Sequence, residues 1–246
     1  MANNHFIVGA QRSGTTYLLD NLNQHPEICI TSKIKPEPKF FLKKNELING
    51  RQFYLNKYFK NHINEKILIE KSTSYIQCNE AALAINKMFP NARIIILLRN
   101  PVNRALSNFF FSKINGLENR KIDEVFLEEK SPPVFNTEIS VNPFDYLNRG
   151  KYINYIDNYV SIFGKEKLGI YLFENLINDS NTLQEIYNFL GVNSNFKPVK
   201  MTRKVNSTYN TEHISKNIIE KLKTYYNNYN IALEKKMKLD LSIWNK

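Results

Sequence analysis

Apolar and β-branched residues gather in five short runs, His5 to Gly9, Glu27 to Thr31, Lys66 to Glu70, Arg93 to Arg99 and Leu168 to Phe173. Most are separated by stretches whose apolar positions repeat at the helical period: Thr15 to Asn23, Asn79 to Phe89, Val102 to Ile114, Tyr152 to Phe163, Thr182 to Leu190 and Ile214 to Tyr229. Such alternation predicts parallel strands joined by right-handed helical crossovers, hence a three-layer α/β fold with a central parallel sheet flanked by helices. The run Ile94 to Leu98 has no polar face and is expected in the middle of that sheet, covered on both sides. Between Asn115 and Pro143 the pattern lapses into charge, Asn and Ser131-Pro132-Pro133, with one short helix expected over Ile122 to Glu129. That segment, about residues 115–145, reads as an insertion of the ligand-binding kind. Residues 212–246 read as a C-terminal helical segment.

Composition narrows the picture. With 246 residues, 42% hydrophobic and 13% aromatic, the chain can bury one substantial core, so a single domain over 1–246 is expected. Lysine and arginine number 34 against 23 acidic residues, and the net charge of +11 favours anionic partners: nucleotides, acidic glycans, nucleic acid or an anionic membrane face. The aromatic residues follow the apolar periods and are not interleaved with the basic ones, which argues against a single-strand nucleic-acid binder. Cys29 and Cys78 are too few for a disulfide framework, and His5, His25, His62 and His213 are too scattered for a zinc spacing. A reducing compartment and no metal are expected. The apolar run Phe6 to Ala10 is cut off by Arg12, too soon for a signal-peptide core, and no stretch has the length of a membrane span. A cytoplasmic protein is the expectation.

The first strand runs into Gly9-Ala10-Gln11-Arg12-Ser13-Gly14-Thr15-Thr16, two glycines five residues apart that open a helix. Glycines let the backbone approach an anion closely, and the N–H groups at a helix start, aided by the macrodipole, cradle it. The loop predicts a phosphate site and makes the fold P-loop-like. Two things a triphosphate site needs are missing: Thr15 stands at the usual lysine, and the strongest later strand ends in Arg99, where an aspartate would hold magnesium. A single phosphate with protein cations nearby fits better.

With the segments that follow, this loop resembles that of the sulfotransferases that use 3′-phosphoadenosine 5′-phosphosulfate (PAPS), where G-x-x-[KR]-[ST]-G-[ST]-[ST] binds the 5′-phosphosulfate. The resemblance is closest to the carbohydrate branch, which includes heparan sulfotransferases and many bacterial relatives, and it runs from Phe6 to about Asn206. It assigns Gln11, Arg12, Ser13, Gly14, Thr15 and Thr16 to the donor. The stretch from Arg99 through Pro101 and Arg104 to Ser107 looks like the family's 3′-phosphate motif, in which the arginine and the serine grip that phosphate. Lys35-Pro36-Glu37-Pro38-Lys39-Phe40-Phe41 resembles K-E-P-H-F-F, whose glutamate is the general base; here that is Glu37, stiffened by the prolines, with Lys39 at the frequent histidine. Glu70-Lys71-Ser72-Thr73-Ser74-Tyr75 resembles E-K-[ST]-P-x-Y, which makes Lys71 a second cation over the transferred group and puts Thr73 at the usual proline. Tyr146 to Tyr152, Phe173 to Leu176 and Phe189 to Gly191 match scaffold landmarks. Lys200 to Asn206, with Arg203 and Lys204, stands where relatives close a basic loop over the 3′-phosphate and adenine.

The resemblance implies in-line sulfuryl transfer from PAPS to a hydroxyl or amine, of a glycan, glycolipid or other acceptor, leaving 3′,5′-ADP and using no metal. Glu37 would take the acceptor's proton, while Arg12 and Lys71 stabilise developing charge. An arginine at position 12, where many carbohydrate sulfotransferases carry lysine, keeps its charge and is a poor proton donor. Two other readings stay open on the residues: a phosphotransferase that uses ATP and Mg²⁺, and a non-catalytic basic module for polyanions. The acceptor and the oligomeric state are not written in the pattern.

Overall fold

The structure, a computed structural model, describes residues 2–32, 36–134, 142–199 and 214–245. Five strands, β1 (Asn3–Gly9), β2 (Ile28–Ile30), β3 (Ile67–Lys71), β4 (Ile94–Leu98) and β5 (Leu168–Leu172), lie within a residue or two of the predicted runs. All pair in parallel, in the order β2-β3-β1-β4-β5. The middle strand is therefore β1, and β4 lies beside it, paired on both edges. An apolar run without a polar face reports cover on both sides, a property β1 and β4 share, and does not rank the interior strands.

The helices are α1 (Thr15–Leu22), α2 (Lys44–Leu47), α3 (Gly50–Tyr58), α4 (Asn79–Met88), α5 (Pro101–Ile114), α6 (Ile122–Phe126), α7 (Tyr152–Phe163), α8 (Phe173–Asn178), α9 (Ser180–Leu190) and α10 (Lys216–Met237). The chain divides into two compact units, Met1–Arg99 with Ile156–Val205 and Asn100–Tyr155 with Asn206–Lys246.

The first unit holds the sheet. Side chains alternate along β1, so Ile7 and Phe6 enter opposite faces. Ile7 joins Ile69 and Ile95 against Leu18 and Leu22 of α1 and Ile186 of α9. Phe6 meets the rings of Phe41, of Tyr54 on α3 and of Phe89 just past α4, at 5.6, 6.5 and 5.6 Å. Helices thus cover both faces, giving the expected three layers. Periodicity does not predict α3, because only Tyr54 and Tyr58 are buried along it.

The second unit is helical. Asn100 caps α5 by accepting the N–H groups of Val102 and Asn103, and Pro101 sits at the first turn, where it has no bond to lose. Ala105 and Phe109 of α5 pack with Phe126 of α6 and with Leu222 and Tyr226 of α10. The described part of the 115–145 insertion is packed accordingly: Ile122, Val125 and Phe126 are buried, and the buried Glu118 pairs with Arg120 at 2.6 Å. α10 runs eight residues past the predicted end, over a stretch carrying Glu234, Lys235 and Lys236 in which only Leu233 is buried.

Burial also sets a pH response. His5 of β1 accepts the Arg93 N–H on Nδ1 at 3.0 Å, and burial, with the Arg93 charge, lowers its pKa to about 4. The fold therefore holds the neutral ring, whereas the unfolded chain protonates it near pH 6.5. This stabilisation is complete above pH 6.5 and is lost as pH falls from 6.5 toward 4, with a ceiling on the order of 3 kcal/mol. His5→Asn is expected to flatten the fall in unfolding free energy between pH 6.5 and 4.5, read by urea denaturation of both proteins; identical slopes would refute the assignment.

Candidate active site

In a parallel sheet every strand's carboxyl end lies on one edge. Here β1 and β4 are neighbours whose onward connections leave in opposite directions, β1's toward β2 and β4's toward β5. Such a switch point is where open α/β sheets bind ligands. The loop Gly9 to Thr16 leaves β1 at this point, and Arg99 follows β4. The Ala10 N–H donates to the Leu97 carbonyl at 2.8 Å, and Arg99 Nη1 donates to the Arg12 carbonyl at 3.3 Å, so loop and strand end are joined. The Arg99 guanidinium lies over the Phe173 ring, 5.5 Å from its centre.

The loop's glycines are required by geometry. Gly14 has φ 81°, and a Cβ there would meet the Phe173 ring at 2.2 Å; a Cβ on Gly9 would meet Ile76 at 2.9 Å. Arg12 is also left-handed, at φ 67°. Ser13 is fully buried and, among the described residues, its Oγ has no hydrogen-bond partner. The N-cap of α1 is Gly14, which has no side chain to cap the helix. A buried hydroxyl left without a partner is costly unless a ligand meets it. Together with the N–H groups opening α1, it fits an anion.

A second group sits on the same edge. Lys71 ends β3 in register with Ile7 of β1, two residues before the loop. Its Nζ donates to Glu37 Oε1 at 2.7 Å, in a pair whose side chains are only 6% and 18% exposed. The Thr73 N–H donates to Glu37 Oε2 at 2.9 Å, and the Thr73 hydroxyl lies 3.1 and 3.0 Å from the two carboxylate oxygens. Glu37 thus faces an ammonium, an amide and a hydroxyl. Phe40 and Phe41 turn into the aromatic cluster, against Tyr54 at 4.9 Å and Phe6 at 5.6 Å, and anchor the segment that carries it.

The residues proposed from sequence therefore form two groups in the first unit, Gln11 to Thr16 with Arg99, and Glu37 with Lys71. Ser107 is half-buried on α5 in the second unit. Lys35, Arg203 and Lys204 lie outside the described residues. Thr73 is the site residue that sequence reading missed. Its signal was the departure from proline, which has neither an N–H nor a hydroxyl to offer Glu37. Among the described residues, no three His, Cys, Asp or Glu side chains gather as around a metal ion, and no helix is long and apolar enough to cross a membrane.

The sulfotransferase domain family matches residues 3–240. The chain belongs to the sulfotransferase family. A crystal structure of a sulfotransferase from Alicyclobacillus acidocaldarius matches it over the full chain and 99% of its own length, with a TM-score of 0.81 and 25% identity. That likeness bears out the P-loop-like α/β fold. Heparan sulfate glucosamine 3-O-sulfotransferase 6 of Mus musculus is 29% identical over 192 residues, 76% of this chain and 51% of its own. The bifunctional heparan sulfate N-deacetylase/N-sulfotransferase 1 of Caenorhabditis briggsae is 29% identical over 171 residues, 66% of this chain and 19% of its own. This sulfotransferase-family chain thus spans between about a fifth and a half of the curated relatives it matches.

Gly14 offers a direct check of the loop. Gly14→Ala is expected to cost about 1–2 kcal/mol from the left-handed φ alone, and more from the ring above it. Measured by denaturant unfolding, its cost should shrink in a Phe173→Ala background; equal costs in the two backgrounds would show that the ring does not enforce the glycine.

Proposed function

We propose that this chain transfers a sulfuryl group from PAPS to a hydroxyl or amine of a glycan or glycolipid, with Glu37 as general base. The observation that carries this reading is the Glu37–Lys71 pair, placed on the same sheet edge as a phosphate loop that lacks a triphosphatase's lysine and aspartate. When bound, PAPS supplies an activated sulfuryl group whose leaving group is a phosphate. The orphaned Ser13 hydroxyl and the open start of α1 suit that phosphate. Arg99, stacked on Phe173 and tied to the loop, suits a second one. The resemblance adds Ser107, Arg203 and Lys204 as donor contacts.

In this reading Arg12 contributes fixed positive charge from within the loop, and Lys71 is shared between Glu37 and the charge that develops during transfer. Glu37 must free one oxygen for the acceptor's proton. The Thr73 hydroxyl is the partner that can turn away, because the Lys71 and Thr73 N–H contacts each hold one oxygen independently of it. A glycan-like acceptor is supported by the heparan sulfate relatives. Residues 1–246 act here as one catalytic domain. A cytoplasmic setting agrees with two unpaired cysteines, Cys29 and Cys78.

The deciding experiment supplies sulfur-labelled PAPS with glycan acceptors and host extract. The native chain should label an acceptor. Glu37→Gln should lose about 10²-fold or more of the rate while still binding 3′,5′-ADP. In a thermal-shift assay 3′,5′-ADP should stabilise the protein more than ATP·Mg²⁺ does. Preference for ATP·Mg²⁺ would point instead to phosphoryl transfer, and salt-sensitive polyanion binding without any transfer to a basic binding module.

A further inference from the structure

Directly before Lys71 on β3 stands Glu70, fully buried. Its oxygens are met by three hydroxyls and, among the described residues, by no cation. Oε1 accepts from Ser72 Oγ at 2.7 Å and from the Tyr75 hydroxyl at 2.6 Å, and Oε2 accepts from the Tyr54 hydroxyl at 2.7 Å. A buried carboxylate without a counter-charge is an expensive group to keep, and an apolar residue of like volume is often no less stable there. Its retention calls for a task.

The hydrogen-bond directions supply one. The Lys39 N–H donates to Ser72 Oγ at 2.9 Å, and the Phe41 N–H donates to the Tyr75 hydroxyl oxygen at 3.1 Å. Backbone N–H groups only donate, so both hydroxyls serve as acceptors toward the 39–41 backbone. Each has a single proton, and both protons go to Glu70 Oε1. Glu70 thereby orients two hydroxyls that grip alternate amides in the segment just after Glu37. One gripped residue, Lys39, is left-handed at φ 51°, a conformation that persists in a side-chain-bearing residue only when its surroundings impose it. The third hydroxyl belongs to Tyr54, whose ring packs on both Phe40 and Phe41, at 4.9 and 5.7 Å. The segment is thus held from its amides and from its side chains by groups converging on one carboxylate.

We propose that Glu70 is a positioning residue: through Ser72 and Tyr75 it fixes the backbone of residues 39–41 and so holds the Glu37 carboxylate opposite Lys71. Consecutive residues of β3 divide the task, Lys71 binding the carboxylate and Glu70 the backbone that carries it. The catalytic consequence rests on the role proposed for Glu37; the mechanical one does not.

The test separates the two. Amide exchange followed by NMR reads the mount without any assay of activity. Losing one hydrogen bond of this kind should speed exchange about tenfold or more, at Lys39 in Ser72→Ala and at Phe41 in Tyr75→Phe. Glu70→Leu should release both amides and move the ¹³C resonance of the Glu37 carboxylate. Glu70→Gln, whose carbonyl can still accept both hydroxyl protons, should restore most of what Glu70→Leu loses. In the labelled-PAPS assay, Ser72→Ala and Tyr75→Phe should lower kcat about tenfold or more, while the KM for PAPS and the Kd for 3′,5′-ADP stay within about twofold. Unchanged exchange at Lys39 and Phe41 would overturn the proposal. So would freed amides with an unmoved Glu37 resonance, or a loss of kcat matched by an equal loss of 3′,5′-ADP affinity. If the native chain transfers no sulfuryl group, the proposed activity falls, and exchange with the Glu37 resonance still decides whether Glu70 holds Glu37.

Discussion

Parallel pairing about β1 is the constraint on which the first unit depends. Because all five strands run the same way, their carboxyl ends share an edge, and every loop that leaves that edge begins beside another. The phosphate loop, the Lys71 turn and Arg99 are separated by scores of residues in sequence and become neighbours for this reason alone. β1 can stand at the centre because its residues from Phe6 on are apolar on both faces, Ile7 toward α1 and α9 and Phe6 toward the aromatic cluster. The cluster around Phe6 then does more than fill volume. Phe41 and Tyr54, which pack on Phe6, belong to the segment that presents Glu37 and to the network that anchors it.

The edge handles charge in two ways. At the loop, the groups suited to an anion are backbone amides and an orphaned hydroxyl in fixed geometry, with arginines whose charge does not depend on pH in any workable range. At Glu37 the carboxylate is matched by one ammonium and two neutral donors, of which the threonine hydroxyl is the one free to turn. On the proposed reading, the loop would hold a donor still while the carboxylate, with one releasable partner, takes the acceptor's proton.

How much of this could be read from the chain follows from which interactions are local. The β-branched runs and the Gly9 to Thr16 loop are written in adjacent residues and fall where expected, and the helix read from Val102 starts one residue earlier, at Pro101 with Asn100 as its cap. The central place of β1 was not legible, since Ile94 to Leu98 looks more apolar and strand order is settled by pairing between distant segments. α3 escaped because Tyr54 and Tyr58 are too few apolar contacts to mark a period. Glu37 stood out through the resemblance of Lys35 to Phe41 to the family's K-E-P-H-F-F segment, its flanking prolines adding only the stiffness of its mount. Its partners did not: Thr73 showed only as a departure from the family's proline, and Tyr54, Ser72 and Tyr75 acquire a common purpose only where they meet at Glu70.

That departure bears on how the site keeps its shape. A proline at position 73 would stiffen the turn after β3 through its ring, by removing backbone freedom. Threonine leaves that freedom in place, and here the stiffness comes from bonds: the Thr73 N–H and hydroxyl on Glu37, the Ser72 hydroxyl on Lys39, and the Tyr75 hydroxyl on Phe41. A ring stiffens only its own turn, whereas the Thr73 N–H and hydroxyl add bonds to Glu37 that proline could not make, beside the Ser72 and Tyr75 bonds that do not depend on residue 73. Residues 72 to 75 and residues 37 to 41 therefore become one mechanical piece, so that the position of the carboxylate depends on the integrity of β3, buried in the sheet beside β1. What threonine at 73 gives up in ring stiffness it returns as two further contacts on the Glu37 carboxylate.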